Sequence, residues 1–417
     1  MKFDCRALEG MCSCGKSHLV QTKLCVIDED ALLYLNDYMD ELGLRGKRCA
    51  IYDQNTYHAV PIKLHPNCSQ EILLRPFGLL ADEENTAYVL NKLDDDIDVL
   101  LAIGGGPLHD IVRYCAKQRG IPFVSIPTAA SCDAFSAEVA ALHWNGVKKT
   151  INCQAPILVV ADINVIKNAP SHLVLSGIGD VLGKFNALTE WKIAHEITGE
   201  HFCVKIHDMM KQALEEVWNN GYNAHLGDVD ACTAVMYGLL LSGIAMQMQG
   251  NSRPASGAEH HISYFLDANP PGFNAKSNGS HGEEVGIATL LVCREYHRLA
   301  KIEDIQPHLL PYTPIDFNRL RAYWGEELFP AIYAENQDDC LAPATPEKIA
   351  SAWPKIREYI ADLPQPDALE QRLAEMGAKR SLKDINIPED KLRDILNYSP
   401  YQRNRLTLMR IRRLIRE

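Results

Sequence analysis

The sequence predicts an N-terminal α/β domain of Rossmann-like type, followed by an all-α C-terminal domain. In the first part of the chain, short apolar runs alternate with turn residues and helical patterns, as successive βα units do. The candidate strands are residues 49–52, 99–103, 123–126 and 157–161. Each run is almost wholly apolar and is bounded by charged, glycine or proline residues, which is typical of parallel strands covered on both faces.

Beyond residue 162 the pattern becomes helical. Residues 204–218 and 283–299 carry apolar side chains at helical spacing, and no comparable strand run follows. The length of 417 residues suits two or three domains. We therefore predict one domain over residues 1–165, with a cysteine-containing extension over residues 1–20, and a second domain over residues 166–417.

The charge balance argues against a polyanionic partner. The chain has 42 Lys and Arg residues against 54 Asp and Glu residues, a net charge of −12, whereas a nucleic-acid surface needs an excess of positive charge. We expect neither a nucleic-acid partner nor a membrane span. Residues 231–252 are uncharged and long enough to cross a membrane, but the polar residues of their second half favour a helix buried in the second domain.

The thirteen cysteines indicate a reducing compartment. Their number is odd, and the first twenty residues lack the apolar core of a secretory signal, so we expect a cytoplasmic protein with packed thiols. Cys12, Cys14 and His18, in the segment CSCGKSH, could ligate a zinc ion with a fourth ligand from Cys5 or elsewhere. Ordinary turn residues explain this segment equally well.

The sharpest local feature is the segment VLLAIGGGPLHD, residues 99–110. A buried strand runs into Gly104, Gly105 and Gly106 and then into a helical pattern, so a phosphate could approach backbone N–H groups at a helix start. Pro107 suits the first turn of that helix. The order of residues matches neither G-x-G-x-x-G nor a P-loop, and a glycine turn with a purely structural role is the alternative.

Two further strand ends carry polar residues. Asp53 follows the first strand and could hold a ribose hydroxyl if that strand neighbours the glycine loop, although an ordinary acid at a strand-to-helix turn is equally compatible. Thr128, Ser131 and Asp133 follow the third strand in IPTAASCD. Because ligands of parallel sheets bind at the carboxyl ends of strands, three such loops together predict a nucleotide site.

Five segments, taken in order, resemble the sn-glycerol-1-phosphate dehydrogenases of the iron-containing alcohol dehydrogenase and dehydroquinate synthase superfamily. They are GGGPLHD (104–110), IPTAASCD (126–133), SGIGDVLGK (176–184), SRPASGAEHH (252–261) and SHGEEVG (280–286). The resemblance covers roughly residues 45–300. It implies a dehydroquinate-synthase-like fold with a metal-binding helical domain. It also implies reversible hydride transfer between NAD(P)H and dihydroxyacetone phosphate, or a related carbonyl, giving sn-glycerol 1-phosphate or a related polyol phosphate.

The same resemblance implies roles for individual residues. The ligands of a catalytic zinc, nickel or iron ion would be Asp180, His260 and His281, which leave coordination positions open for substrate. The NAD or NADP contacts would be Asp53, Gly104, Gly105, Gly106, Pro107, Leu108, Thr128, Ser131 and Ser136. The substrate contacts would be Asp133 and Tyr264, with Arg253 and Lys184 suggested for a phosphate by their charge alone. A homodimer is the expected assembly.

Two positions depart from the family pattern. Ala137 stands where a serine is usual, with Ser136 one position earlier, and Tyr264 stands where a histidine is usual. These departures leave two alternatives open. One is a carbocycle-forming lyase of the dehydroquinate synthase type, against which Asp180 argues because that group usually has a glutamate there. The other is a nucleotide-binding protein without catalysis.

Overall fold

The computed structural model describes residues 1–75, 79–144 and 147–416. Its contacts divide the chain into two compact units, each made of two segments. The first unit comprises Met1–Val181 and Lys205–Ser252, and the second comprises Leu182–Val204 and Arg253–Glu417.

The first unit is built on a mainly parallel sheet. In chain order, the strands are β1 (Lys2–Asp4), β2 (Gly10–Met11), β3 (Ser17–His18), β4 (Leu24–Asp28), β5 (Arg48–Asp53), β6 (Gln70–Leu74), β7 (Val99–Gly104), β8 (Phe123–Pro127), β9 (Val139–Trp144), β10 (Val147–Asn152) and β11 (Leu158–Asp162). The main sheet has seven strands in the order β1-β4-β11-β8-β7-β5-β6. Only β1 is antiparallel to its neighbour in this sheet, as far as the described residues extend. β2 pairs with β3, and β9 pairs with β10, in two separate hairpins.

The helices alternate with these strands and then continue alone. In chain order they are α1 (Leu35–Glu41), α2 (Gln54–Ala59), α3 (Glu83–Lys92), α4 (Gly106–Arg119), α5 (Ile163–Ile166), α6 (Ser171–Leu182), α7 (Lys184–Thr198), α8 (Val204–Asn220), α9 (Val229–Gln249), α10 (Ala258–Ala268), α11 (His281–Ala300), α12 (Phe317–Asn336), α13 (Pro346–Ala361), α14 (Pro366–Glu375), α15 (Leu392–Tyr398) and α16 (Leu408–Ile411). The second unit contains α7 and α10 to α16. An α/β unit and a helical unit are the predicted fold class, which is confirmed.

The strands of the sheet centre are buried on both faces. Along β7, Leu101 and Ile103 pack into one apolar core, whereas Leu100 and Ala102 pack into the other. Successive side chains of a strand point to opposite faces, so a strand with a core on each side must be apolar throughout. This explains why the four predicted strands are present, as β5, β7, β8 and β11.

The contacts do not divide the chain at the single boundary predicted between residues 165 and 166. Helices α6 and α9 belong to the unit that contains the sheet, together with nearly all of α8. Helix α9 contains most of the uncharged segment 231–252, and 78% of its most apolar stretch is buried. A helix that is apolar all round must be covered on every side, and α9 contacts β3, β4 and the turn Asp133–Ser136. It is therefore a core helix, as predicted, but a core helix of the sheet unit.

Candidate active site

Three loops of the first unit follow neighbouring strands at one edge of the sheet. In the parallel pair β5–β7, Tyr52 lies opposite Ile103, and in the pair β7–β8, Gly104 lies opposite Pro127. The loops that begin at Asp53, Gly104 and Thr128 therefore share the carboxyl edge of the sheet, where ligands of such sheets bind. The strand that ends at Asp53 therefore neighbours the strand that leads into the glycine loop, as the predicted role of Asp53 requires.

The glycine loop leads directly into α4. Gly105 caps the helix in an extended conformation, and Pro107 stands in its first turn. A Cβ atom added to Gly106 would lie 2.9 Å from the Sγ atom of Cys132, whereas one added to Gly105 would meet no atom within 4 Å. Gly106 is thus required by packing, while Gly105 faces open space at a helix start. This arrangement fits a phosphate bound by backbone N–H groups.

A buried histidine fixes the same helix start. His109 is fully buried, and its Nδ1–H donates to the carbonyl oxygen of Gly105 at 2.9 Å. Burial lowers the pKa of His109 to about 3, so the imidazole is neutral at physiological pH. Leu108 packs beneath Gly104, because a Cβ added to Gly104 would lie 3.0 Å from Leu108 Cδ1.

Asp53 also caps a helix. Its Oδ1 atom accepts a hydrogen bond from the backbone N–H of Thr56 at 2.8 Å, and the Thr56 hydroxyl accepts from the Asp53 N–H. This capping box starts α2. Asp53 therefore has the structural role that the sequence offered as an alternative, at a strand-to-helix turn. Its half-buried carboxylate lies at the sheet edge beside the glycine loop.

The loop after β8 joins the glycine loop through its backbone. The N–H of Thr128 donates to the carbonyl of Gly104 at 3.2 Å, and Ser131 is half-buried. Ser136 is placed differently from a cofactor contact. It is fully buried, and its hydroxyl donates to the carbonyl of Leu240 in α9 at 2.8 Å. A Cβ added to Gly243 of α9 would lie 2.2 Å from that hydroxyl oxygen, so Ser136 occupies a tightly packed contact.

Asp133 and Asp180 are brought together in the first unit. The backbone N–H of Asp133 donates to Oδ2 of the fully buried Asp180 at 3.1 Å, and the Ser242 hydroxyl donates to Oδ2 of Asp133 at 2.7 Å. These bonds fix the orientation of both carboxylates. Ser242, on α9, was not found from the sequence.

The two predicted histidine ligands are neighbours in the second unit. His260 lies on α10 and His281 begins α11, and their ring centroids are 5.4 Å apart. Nδ1 of His260 is 2.8 Å from Oε1 of Glu259. Because a carboxylate only accepts, the imidazole donates from Nδ1 and its Nε2 atom keeps the lone pair.

A second acid orients His281 through a serine. The Ser263 hydroxyl donates to Oε2 of Glu284 at 2.8 Å, and its oxygen lies 3.0 Å from Nδ1 of His281. Since the serine proton is used toward Glu284, the serine oxygen accepts from the His281 N–H. In both histidines Nδ1 is therefore the protonated ring nitrogen. Carboxylates that fix the tautomer in this way are typical of histidines that bind metal ions.

Helix α10 is itself anchored by a buried acid. Glu190 accepts a hydrogen bond from the N–H of Ala258 at 2.9 Å and another from the hydroxyl of Tyr296. Burial and the neighbouring Glu259 charge raise the pKa of Glu190 to about 8. This network holds the first turn of the helix that carries His260.

Tyr264 lies beside the histidine pair in the second unit. Its ring is nearly parallel to that of His281, with centroids 6.1 Å apart. The guanidinium carbon of Arg403 lies 4.9 Å from the centre of the Tyr264 ring. Arg405 follows Arg403 by two residues, and its Nη1 donates to the carbonyl of Ser256 at 2.6 Å. Burial lowers the pKa of Arg405 to about 10, with a further contribution from other arginines including Arg403, and Arg405 stays protonated at neutral pH.

Arg253 is engaged elsewhere, which corrects its predicted role at a substrate phosphate. Its buried guanidinium forms an ion pair with Glu200 at 2.9 Å and donates to the carbonyl of Leu406 at 2.8 Å. The guanidinium of Arg253 is therefore already paired within the fold. Lys184, the other predicted cation, is fully buried at the start of α7, and its role stays a prediction.

Comparison with known proteins adds the family. A family model described as iron-containing alcohol dehydrogenase matches residues 26–170. A glycerol-1-phosphate dehydrogenase [NAD(P)+] of Geobacillus stearothermophilus is 30% identical over 420 residues, which cover 97% of this chain and 95% of that protein. The chain belongs to the glycerol-1-phosphate dehydrogenase family. A Bacillus velezensis member is 38% identical over 298 residues, covering 67% of this chain and 75% of that protein.

Solved structures agree with the fold of this glycerol-1-phosphate dehydrogenase family member. A glycerol dehydrogenase from Schizosaccharomyces pombe matches with a TM-score of 0.57 and 19% identity, covering 89% of this chain and 94% of that one. An iron-containing alcohol dehydrogenase matches with a TM-score of 0.59 and 14% identity, covering 95% and 96% of the two chains. The solved structures thus show the fold, and the relatives that are 30% and 38% identical show that the chain is an oxidoreductase.

Proposed function

We propose that this chain catalyses the reversible, metal-dependent reduction of dihydroxyacetone phosphate by NAD(P)H to sn-glycerol 1-phosphate. The observation that carries the proposal is the pair His260 and His281, neighbours in one unit, each with Nδ1 hydrogen-bonded to Glu259 or to Ser263. Histidines that bind metal ions almost always donate their other ring N–H to a partner of this kind. Family membership supplies the reaction class.

In this proposal the ligands of one divalent metal ion are Asp180, His260 and His281, the residues that the family resemblance implies. A carboxylate and two imidazoles are a donor set that accepts zinc, nickel or iron and leaves positions open for substrate oxygen atoms. The hydrogen bond from the Asp133 N–H to Asp180 fixes the carboxylate, as Glu259 and Ser263 fix the imidazoles. When bound, the metal ion polarises the substrate carbonyl, and NAD(P)H provides the hydride.

The proposed cofactor site is the carboxyl edge of the sheet. The loop of Gly104, Gly105 and Gly106, with Pro107 and Leu108, would bind the pyrophosphate at the start of α4. Thr128 and Ser131 would contact the nicotinamide half. Asp53 would accept hydrogen bonds from the adenosine ribose and, by charge, disfavour a 2′-phosphate. We leave Ser136 out of this set because its hydroxyl is used within the fold.

The substrate phosphate is proposed to bind Arg403 and Arg405. These cations lie near Tyr264, which is next to both histidines in the same unit. Guanidinium groups suit a phosphate because they donate in pairs. The carboxylate of Asp133, oriented by Ser242, would contact a substrate hydroxyl. The reduction converts a ketone to a secondary alcohol, the carbon gaining a hydride and the oxygen gaining a proton.

The test is NAD(P)H oxidation by the chelator-stripped protein, reloaded with zinc, nickel or iron(II). We expect turnover with dihydroxyacetone phosphate only after reloading, much weaker turnover with unphosphorylated dihydroxyacetone, and a product that sn-glycerol-3-phosphate dehydrogenase does not oxidise. Absence of metal-dependent turnover would contradict the proposal. Phosphate release from a sugar phosphate without net NAD(P)H change would instead identify the lyase alternative. Light scattering on the same sample tests the predicted homodimer.

A further inference from the structure

The N-terminal segment carries a second group of metal-ligand residues. Sγ of Cys12, Sγ of Cys14 and a ring nitrogen of His18 lie within 4.8 Å of one another in the first unit. Cys5, which the sequence offered as a further ligand, is instead 3.8 Å from the sulfur of Cys25. Cys12, Cys14 and His18 are therefore the candidate ligands that the first unit brings together.

The histidine of this group is oriented like a metal ligand. Nδ1 of the buried His18 lies 2.8 Å from the carbonyl oxygen of Met248, at the end of α9, so Nδ1 carries the proton. Its Nε2 atom is 3.4 Å from Sγ of Cys14. Tetrahedral zinc with Zn–S of about 2.3 Å and Zn–N of about 2.0 Å places a sulfur and a nitrogen ligand about 3.5 Å apart. The observed separation fits this geometry.

The backbone around these residues forms a tight turn between two very short strands. β2 and β3 have two residues each, and such a hairpin has little stability of its own in water. Its turn is closed by hydrogen bonds from Cys12 N–H to the Lys16 carbonyl and from Gly15 N–H to the Cys12 carbonyl, both 3.0 Å long. Gly15 has a φ of +85°, which a glycine adopts without strain.

We propose that Cys12, Cys14 and His18 bind a structural zinc ion in the first unit. Two thiolates and one imidazole are typical ligands of structural zinc sites. The ion would hold the N-terminal hairpin against the end of α9, where the Met248 carbonyl accepts from His18. The soft sulfur donors favour zinc over the harder ions that a carboxylate-containing site also accepts.

Sulfur ligands distinguish this site from the proposed catalytic metal site, whose ligands contain no sulfur. X-ray absorption at the zinc edge of the purified wild-type protein should show Zn–S scattering at about 2.3 Å. Replacing the zinc with cobalt should give thiolate-to-cobalt charge-transfer absorption of a tetrahedral complex. Zinc bound only by oxygen and nitrogen would overturn the proposal, and this measurement needs no variant to fold.

Variants then identify the ligands. Cys12→Ser and Cys14→Ser should each lose the chelator-resistant, sulfur-bound zinc, whereas Cys68→Ser, which changes another half-buried cysteine of the first unit, should retain it. Retention of the Zn–S signal in both ligand variants would overturn the assignment. Far-UV circular dichroism and activity after reloading the catalytic metal show whether the variants fold.

Discussion

Oε1 of Glu259 lies 2.8 Å from Nδ1 of its chain neighbour His260. The same oxygen accepts the backbone N–H of Gly257 at 2.6 Å, at the start of α10. One buried carboxylate thus fixes both the beginning of the helix and the tautomer of the histidine that the helix carries. This acid therefore links the start of α10 to the orientation of a proposed metal ligand.

Glu259→Gln should weaken metal binding without preventing it. The amide oxygen can still accept from His260, but a neutral acceptor makes the imidazole a poorer donor to a cation. We expect the dissociation constant of the catalytic zinc to rise about tenfold, within the range of about 10–100 typical of such partners. Competition with a chromogenic chelator measures it. Glu295→Gln, which changes a buried acid paired with Arg298 on α11, is the control and should leave the affinity unchanged. An unchanged constant in Glu259→Gln would show that the acid does not act on the metal.

Asp53→Asn should shift cofactor preference toward NADP. Asparagine caps helices as well as aspartate does, so α2 should keep its stability to within about 0.5 kcal/mol. Removing the negative charge relieves repulsion of the 2′-phosphate. We expect the kcat/KM ratio of NADPH to NADH to rise about tenfold, which corresponds to about 1.4 kcal/mol. Asp82→Asn, the same change at the cap of α3, should not move the ratio. An equal shift in both variants would exclude a specific role for Asp53.

Gly105→Ala and Gly120→Ala lie at opposite ends of α4 and should have opposite consequences. A Cβ at Gly105 meets open space in the apo protein, so the substitution should cost less than about 1 kcal/mol of stability. It should still raise the KM for NADH about tenfold or more by filling the proposed phosphate position. Gly120 has a φ of +67°, so alanine there should cost about 1 kcal/mol and leave KM unchanged. Thermal unfolding and initial rates measure the two effects. An unchanged KM in Gly105→Ala would exclude the proposed phosphate position.

Arg403→Gln should weaken recognition of the substrate phosphate. The cation lies beside Tyr264, and loss of a charge-assisted hydrogen bond costs roughly 1.5–3 kcal/mol. We expect the KM for dihydroxyacetone phosphate to rise about tenfold or more, with the KM for NADH unchanged and little effect on turnover of unphosphorylated dihydroxyacetone. Arg393→Gln, on the exposed side of α15, is the control. An equal loss with both carbonyl substrates would indicate a structural role for Arg403.

The sequence alone was sufficient for the four central strands β5, β7, β8 and β11, because a strand buried on both faces must be an apolar run. It was also sufficient for the glycine loop, because a strand, three glycines and a helix start are contiguous in the chain. Strand β4 was missed, although its residues Leu24–Asp28 show the same apolar pattern, and the outer strands β1 and β6 and the two hairpins were missed as well. The proposed metal ligands are separated by long stretches of chain, so only the family resemblance could group them.

Some of the residues that support the site could be predicted from the sequence, and others could not. Ser263 follows His260 by three positions and therefore lies on the same face of α10, so the sequence predicts its place once His260 is known. The partner of Arg253 could not be read in this way. Glu200 lies more than fifty positions away, and only the folded chain shows that their charges meet.

His109 should make stability depend on pH below neutrality. Its folded-state pKa, about 3, is below the unfolded value of 6.5, so between these values the unfolded chain binds a proton that the folded chain does not. Stability from this group is therefore complete above pH 6.5 and is lost as the pH falls toward 3. From pH 6.5 to 5 the loss is about 2 kcal/mol. Urea unfolding of wild type and His109→Gln should show this part of the slope only in the wild type, because glutamine can still donate to Gly105 but does not titrate. His58→Gln, at an exposed site, should keep the wild-type slope. Equal slopes in wild type and His109→Gln would mean that His109 is not held neutral.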